Sequence, residues 1–419
     1  MLYFCKTLKG LKPSTIPTVC NIDMQDLQSK ISQYVCCANE AVKFKLIKDE
    51  DDLTSDKGFF HPDMSHQIFG EREQLFGYKG LKVVLAYLAG SLDVCVKVSY
   101  TDKIDPELAE GVEPDDILPR LKDVLPKTFF TNIDQFSSLL LKKADFHPHG
   151  VLISSYSKES GGGQKTYEIY KPDVTCPGYQ EYHEKMESFI LWFIDAASFI
   201  DVDDDKWDFF TVFEKVNVGG ASFYLFVGYA TCYRFYAYPD KCRPRVSQVL
   251  ILPPYQKQGH CTNLLSAIYR HYVSDVNVVD ITAEDPSDNF QRVRDFLDSK
   301  NCAGLPEFSD VSLKKPFSKD MAQAAQKRFK INKRQARRVY EILRLKNTNK
   351  NDEKEFKEYR LCVKQRLYAP MKNDSIHRKA KFLPPGLCPS AEEQQSILQK
   401  EFEKCLTEYE KVVQRLEYL

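Results

Sequence analysis

Apolar positions recur along the chain at two different intervals, and each interval predicts an element. Residues 42–47, VKFKLI, alternate apolar and polar as a half-buried strand does. Residues 81–87 and 92–100 read as two further strands, joined by the hairpin signal Ala89-Gly90-Ser91. Residues 150–170 predict a second hairpin turning at Gly161-Gly162-Gly163; no helix follows the triple glycine, which argues against a phosphate loop there. Helical spacing predicts a helix over 22–37, with Ile22, Leu27, Ile31 and Tyr34 on one side, and another over 132–143. Residues 179–200 read as one strongly apolar helix containing FILWFIDAASFI, with the single carboxylate Asp195 inside that run. Two aromatic-rich strands follow at 207–216 and 223–238, separated by Gly219-Gly220. Then come a strand over 246–252, a helix bearing Leu264, Leu265, Ile268, Tyr269 and Tyr272, a strand over 278–285 and a helix over 287–300. That order contains a parallel β-α-β unit. Further on, Asn332 caps a helix with the stripe Ala336, Val339, Tyr340 and Leu343. The last helix, over 390–416, carries Leu398, Phe402, Leu406, Tyr409, Val412 and Leu416 and is expected to dock in a bundle or on a partner.

The strand and helix on either side of residues 253–262 hold the first candidate chemistry. Pro253-Pro254 removes two backbone donors and stops the strand. After Gln256, Lys257, Gln258, Gly259, His260, Cys261 and Thr262 a helix begins, and its first amides have no partner within it. Their partial positive charge makes an anion site. There is no G-x-G-x-x-G and no Gly followed by Lys-Ser or Lys-Thr, so dinucleotide-fold and P-loop readings are weak. Gln256-x-x-Gly259-x-Cys261 resembles the Q/R-x-x-G-x-G/A signature of the GNAT superfamily of acyl-CoA-dependent N-acetyltransferases, with Cys261 where a small residue is usual.

Composition narrows the classes. The chain has 419 residues, 43% of them hydrophobic, enough for two or three domains. Fifty-nine basic residues balance 59 acidic ones, so nothing global calls for nucleic acid or an acidic membrane surface. The 13 cysteines are scattered without C-x-x-C or paired metal spacing, and no metal is expected. They suit a reducing compartment, and with no signal-peptide-like or membrane-spanning run the expectation is a soluble intracellular protein. Residues 314–346 carry 12 Lys or Arg against two acids. A solvated face, an import patch and a DNA contact all fit that segment, the first being the plainest.

Amine acylation needs a base, because at neutral pH only about one lysine ε-amine in two thousand is unprotonated. In VVDITAED the strand period places Val279, Ile281 and Ala283 on one face and Asp280, Thr282 and Glu284 on the other. Glu284 ends the polar face where ligands of open α/β sheets collect, and is the first choice. Asp285-Pro286-Ser287-Asp288 reads as a helix start with Asp285 as N-cap, although a carboxylate beside Glu284 also raises its pKa. Cys261, at a helix N-terminus, is expected to have a lowered pKa and is in principle a nucleophile for a two-step route. Direct transfer is preferred.

The segments FIDVDDDKWDFF, YPDKCRPRVSQVLILPPYQKQGH and DITAEDPS closely resemble the catalytic subunits of type B histone acetyltransferases. The likeness extends through HQIFGEREQLFGYKGLK, AGSL and FKINKRQARRVYEILRL, covering about residues 40–345. The resemblance implies a GNAT-type mixed central sheet (146–305) between an N-terminal α/β domain (1–145) and a C-terminal helical domain (306–419). It implies acetyl-CoA as cosubstrate, with Val249, Leu250 and Ile251 pairing the pantetheine arm, the 256–262 loop holding the pyrophosphate, and Ser287 and Phe290 on the coenzyme's other side. It makes Glu284 the general base, Asp285 a nearby acid, and Asp195 the counterpart of a family Glu, one methylene shorter. Contacts to the N-terminal tail of histone H4 fall on Glu71, Glu73, Trp207, Tyr233, Arg234 and Phe235. Acids and aromatic rings suit a basic tail, Arg234 less so. It further implies a WD-repeat propeller histone chaperone as partner and residence in nucleus and cytoplasm, with no membrane and no stable nucleic acid. Three function classes stand: histone lysine acetyltransferase, small-amine acetyltransferase, and a non-catalytic histone chaperone on a GNAT scaffold. The large flanking domains and the acidic loop at Glu71 and Glu73 favour the first.

Overall fold

The computed structural model describes residues 31–380 and 390–418, apart from residues 110, 161 and 162. The helix expected over 22–37 lies largely outside them, and its last residues form strand β1 (Val35–Cys37) instead. The N-terminal part is a four-stranded sheet in the order β3-β2-β5-β6 beside a two-stranded ribbon of β1 and β4. Here β2 is Val42–Ile47, β3 Phe59–Phe60, β4 Gln74–Phe76, β5 Lys82–Leu88 and β6 Val94–Ser99. A short helix α1 (His66–Phe69) lies between β3 and β4. The hairpin expected over 81–100 is β5 with β6, antiparallel from Lys82↔Ser99 to Tyr87↔Val94. Asn132 caps α2 (Ile133–Ser138) by accepting from the Asp134 and Gln135 amides.

The central sheet has six strands in the order β12-β11-β10-β9-β8-β7. Strands β7 (Val151–Ser160), β8 (Gly163–Lys171), β9 (Trp207–Val218), β10 (Ala221–Ala237) and β11 (Lys241–Ile251) run antiparallel in sequence order. After helix α5 (His260–Val273), the two-residue strand β12 (Thr282–Ala283) returns parallel to β11. This is the GNAT-type arrangement, with the predicted β-α-β crossover around the 256–262 loop.

The apolar run at 179–200 is not one helix. It folds as α3 (Tyr179–Glu187) and the single turn α4 (Ile190–Phe193), and the chain is extended from Ile194. Two contacts account for the break: Trp192 O accepts the Asp63 and Met64 amides from the N-terminal part, and within the run the Glu187 carboxylate accepts the Ile200 amide at 2.8 Å. Trp192 meets Phe44 edge-on, and Phe189 packs tilted against Phe44 and Tyr87 of the N-terminal sheet, with centroids 4.3–5.9 Å apart. One hydrophobic core therefore spans the N-terminal and central parts.

Beyond β12, helix α6 (Asp288–Cys302) joins α7 (Lys319–Phe329), α8 (Lys333–Lys346), α9 (Glu353–Ala380) and α10 (Ala391–Glu417) around a second core. Asn332 caps α8, and Ser390 starts α10 with a capping box closed by Glu393. Part of the basic segment turns inward: Arg338 pairs with Asp295 at 2.7 Å, and Arg337 and Arg366 both bind the fully buried Glu341 at 2.9 Å.

Burial lifts Glu187 to about 7, while burial holds its neighbour His183 down at about 4. A carboxyl with a raised folded-state pKa binds more protons folded than unfolded between its two pKa values, so its contribution to stability falls as pH rises. Glu187→Gln should therefore gain stability over the natural chain, on the order of 3 kcal/mol, between pH 4.5 and about 7 and then level off. Paired thermal melts across pH 4.5–8 check this; a pH-independent difference contradicts it.

Candidate active site

Strand β11 is paired on both sides only over part of its length. Its register with β12 is Arg245↔Thr282 and Val246↔Ala283, and the last bond on that edge is Glu284 N to Val246 O, 2.9 Å. A register shift between Ala230 and Cys232 in β10 marks a bulge, where Thr231 Oγ1 accepts the Gln248 amide at 3.1 Å. Bulges bend and twist a strand, and past this one β11 leaves β12. From Ser247 to Ile251 its outer edge has no strand partner among the described residues. Val249, Leu250 and Ile251, expected to receive a ligand as an added strand, lie on that edge. Gly228 backs them: a Cβ there would stand 2.2 Å from Leu250 O.

Below this opening is the loop. Residues Pro253–Tyr255 make one 3-10 turn, Gln256 ties back to Ile251 O at 3.0 Å, and Gln258 to Pro254 O at 3.0 Å. Gly259, at φ +81, is the N-cap of α5, a left-handed conformation that glycine takes without a Cβ penalty. No side chain caps α5 and its first turn holds no acid, so its leading amides remain open to an anion. Loop and helix border a cavity of about 310 Å³ with Ile251, Val293 and Arg415.

Within the loop, side chains and backbone take separate roles. His260 is buried with Nδ1 2.8 Å from Tyr156 Oη and its ring on Tyr167, so it has only backbone to offer the cavity. The expected low pKa of Cys261 is corrected: burial pushes the thiol up to about 12. Desolvation of a thiolate outweighs the helix-end charge here.

Glu284 stands on the lip of the opening with its side chain 48% exposed, 3.5 Å from Arg245 and 3.5 Å from Ser247 Oγ. Asp285 follows at φ +29 and is exposed. The helix start assigned to it is corrected, since Ser287 is the N-cap of α6, its Oγ accepting the Phe290 amide at 3.2 Å. Phe290 is half-buried against the core. Asp280, on the same face as Glu284, is taken by Arg243 at 2.5 and 3.2 Å.

Three rings lead away from Glu284. Arg245 lies over the Phe235 ring at 4.4 Å; Phe235 meets Tyr233 at 4.6 Å, and Tyr233 meets Trp207 at 4.9 Å. Strand alternation turns Arg234 to the other side, where it pairs with Asp208 at 3.1 Å. Arg245 is the member that sequence reasoning missed, and its only signal was a period of two along β11 ending beside Ser247.

The remaining carboxylates belong to the N-terminal side. Glu73 accepts from the Ser65 and His66 amides and from Asn39 at 2.5–3.1 Å, and those bonds hold its pKa below the ordinary value. It organises the start of α1. His66 then reaches Asp195 with Nε2 at 3.3 Å. Asp195 is 75% exposed and lies after α4, not inside a helix as expected. Glu71 is exposed in the same loop as Glu73.

Comparison with known proteins agrees with this geometry. Residues 34–195 match the family described as the histone acetyl transferase HAT1 N-terminus, and residues 294–345 the C-terminal part of the type B catalytic subunit. The chain is 45% identical over 400 residues to the histone acetyltransferase type B catalytic subunit of Rattus norvegicus, covering 93% of this chain and 95% of that one. The Homo sapiens protein is 44% identical with the same coverage, and that of Mycosarcoma maydis 32% identical, covering 84% and 82%. By these matches, over most of its length, this chain belongs to the family of type B histone acetyltransferase catalytic subunits.

Proposed function

We propose that this acetyltransferase transfers acetyl from acetyl-CoA to lysine ε-amines in the N-terminal tail of newly made histone H4, by direct attack with Glu284 as general base. The observation that carries the reading is the position of Glu284: it sits where β11 and β12 part, on the same surface as the Trp207–Tyr233–Phe235 rings. The open edge at 249–251 takes the pantetheine arm by backbone bonds, and the amides at the start of α5 take the pyrophosphate. The arriving lysine gives a proton to Glu284 and its amine attacks the thioester carbonyl. The carbon–sulfur bond then breaks, and the thiolate leaves with the electron pair and takes up the proton that the attacking nitrogen sheds as the amide forms. A backbone amide near Leu250 steadies the tetrahedral oxyanion.

Arg245 keeps Glu284 oriented, and its cation over Phe235 closes one end of the aromatic face. Asp285 adds a second negative charge beside the base. Asp195 acts with Glu71 on the approach of the cationic tail, since its exposure and its pairing with His66 suit attraction of charge better than proton transfer. Glu73 and Arg234 support the site through the contacts they already make. A WD-repeat propeller chaperone as partner, and work in both cytoplasm and nucleus, complete the proposal by family resemblance.

Replacing Glu284 with Gln should lower kcat by about 10²–10⁴-fold while calorimetric acetyl-CoA affinity changes less than about threefold. Intact turnover sinks the base assignment. Cys261→Ala should leave kcat within about twofold, because a thiol of such high pKa is no nucleophile at neutral pH; loss of turnover together with a trapped acetyl-thioester would establish the two-step route. Trp207→Ala should raise the KM of an H4 tail peptide about tenfold and leave that of acetyl-CoA alone. Equal activity on the peptide and on simple amines would point to a small-amine enzyme.

A further inference from the structure

The phosphate loop is bordered by a residue from the far end of the chain. Arg415, near the end of α10, donates to Thr262 Oγ1 at 3.0 Å across 153 positions of sequence. Its guanidinium lies 3.8 Å from the centroid of Phe296 of α6, so α10 holds it at the mouth of the cavity behind the loop. Several cations of this bundle have carboxylates: Arg292 and Lys411 share Glu408, and Arg338 has Asp295. Arg415 has none among the described residues. Partial burial lowers its pKa below the usual arginine value, the sign of a cation whose lost hydration is not repaid by an anion.

A second cation comes from the opposite side. Lys158 of β7 lies across Gly259, where an added Cβ would be 3.2 Å from its Nζ. It too lacks a carboxylate partner among the described residues. Both cations are gathered at the positive end of α5, where the helix dipole repels them. Neither cation has a carboxylate there to offset that repulsion, and a bound polyanion turns each repulsion into attraction.

We propose that Arg415 and Lys158 clamp the phosphates of coenzyme A from two sides, which makes the C-terminal helix α10 part of the acyl-donor site. The assignment rests on the reading that the 256–262 loop holds the coenzyme. Arginine's planar fork suits a phosphate, and its setting on Phe296 keeps the fork in place.

Calorimetric titration of the full chain with coenzyme A and with 3′-dephospho-coenzyme A tests this, beside ligand-free thermal melts. Arg415→Gln should weaken coenzyme A binding about tenfold, and Arg415→Lys should recover part of that loss. If the 3′-phosphate is the group held, the natural chain prefers coenzyme A over the dephospho form and Arg415→Gln abolishes the preference; if the pyrophosphate, both ligands weaken together. Lys158→Gln, on a strand of the central sheet, should also weaken binding and serves where the Arg415 variant unsettles α10. Unchanged affinity in both Gln variants overturns the clamp, as does an Arg415→Lys as weak as Arg415→Gln, which would leave Arg415 a packing residue on Phe296. A natural chain that takes up no coenzyme A at all overturns the functional reading instead.

Discussion

Backbone hydrogen bonding that stops partway along β11 is the constraint from which the site follows. A buried strand ordinarily satisfies both edges, and β11 does so only as far as Val246. The bulge at Thr231 bends its pairing with β10, β12 is two residues long, and the chain turns at Asp285 into α6. Unpaired amides and carbonyls are thereby left facing a gap inside the sheet, the edge to which the proposed function assigns the pantetheine arm. The same divergence brings Glu284 to the surface beside that gap. Loss of β pairing and exposure of this carboxylate are one structural event.

Around that gap, charge and apolar surface are divided by strand alternation. The buried face of β11 carries Val246, Gln248 and Leu250. Its other face carries Arg245 and Ser247, both within 3.5 Å of Glu284. Facing acids and cations are sorted by the same register: Asp280 with Arg243, Glu284 with Arg245, and Asp208 with Arg234. Of these three carboxylates Glu284 is by far the most exposed, and so it is the one available to a substrate.

Much of this was legible from residue patterns. The hairpins, the β-α-β crossover and the apolar stripes of α8 and α10 all follow from local rules, and local rules suffice where an element's partners do not change its conformation. They failed where a distant contact decided the outcome. Residues 179–200 are apolar enough for one helix, yet the Trp192 carbonyl bonds to the distant Asp63 and Met64 amides, and the Glu187 carboxylate folds the end of the run back by taking the Ile200 amide. The helix position of Cys261 points to a low pKa, but desolvation by burial raises it instead. The N-cap moved from Asp285 to Ser287 because Asp285 takes a left-handed turn that its sequence does not announce. The 278–285 strand shrank to two residues for the same reason that the site exists.

Hydrogen–deuterium exchange of the full chain, with and without acetyl-CoA, measures the central claim most directly. Amides of 247–251 that face no strand, together with those at the start of α5, should exchange readily in the free protein and become protected on binding, with little change across β7 to β9. Protection confined elsewhere, or none at these two segments at saturating acetyl-CoA, would contradict the account.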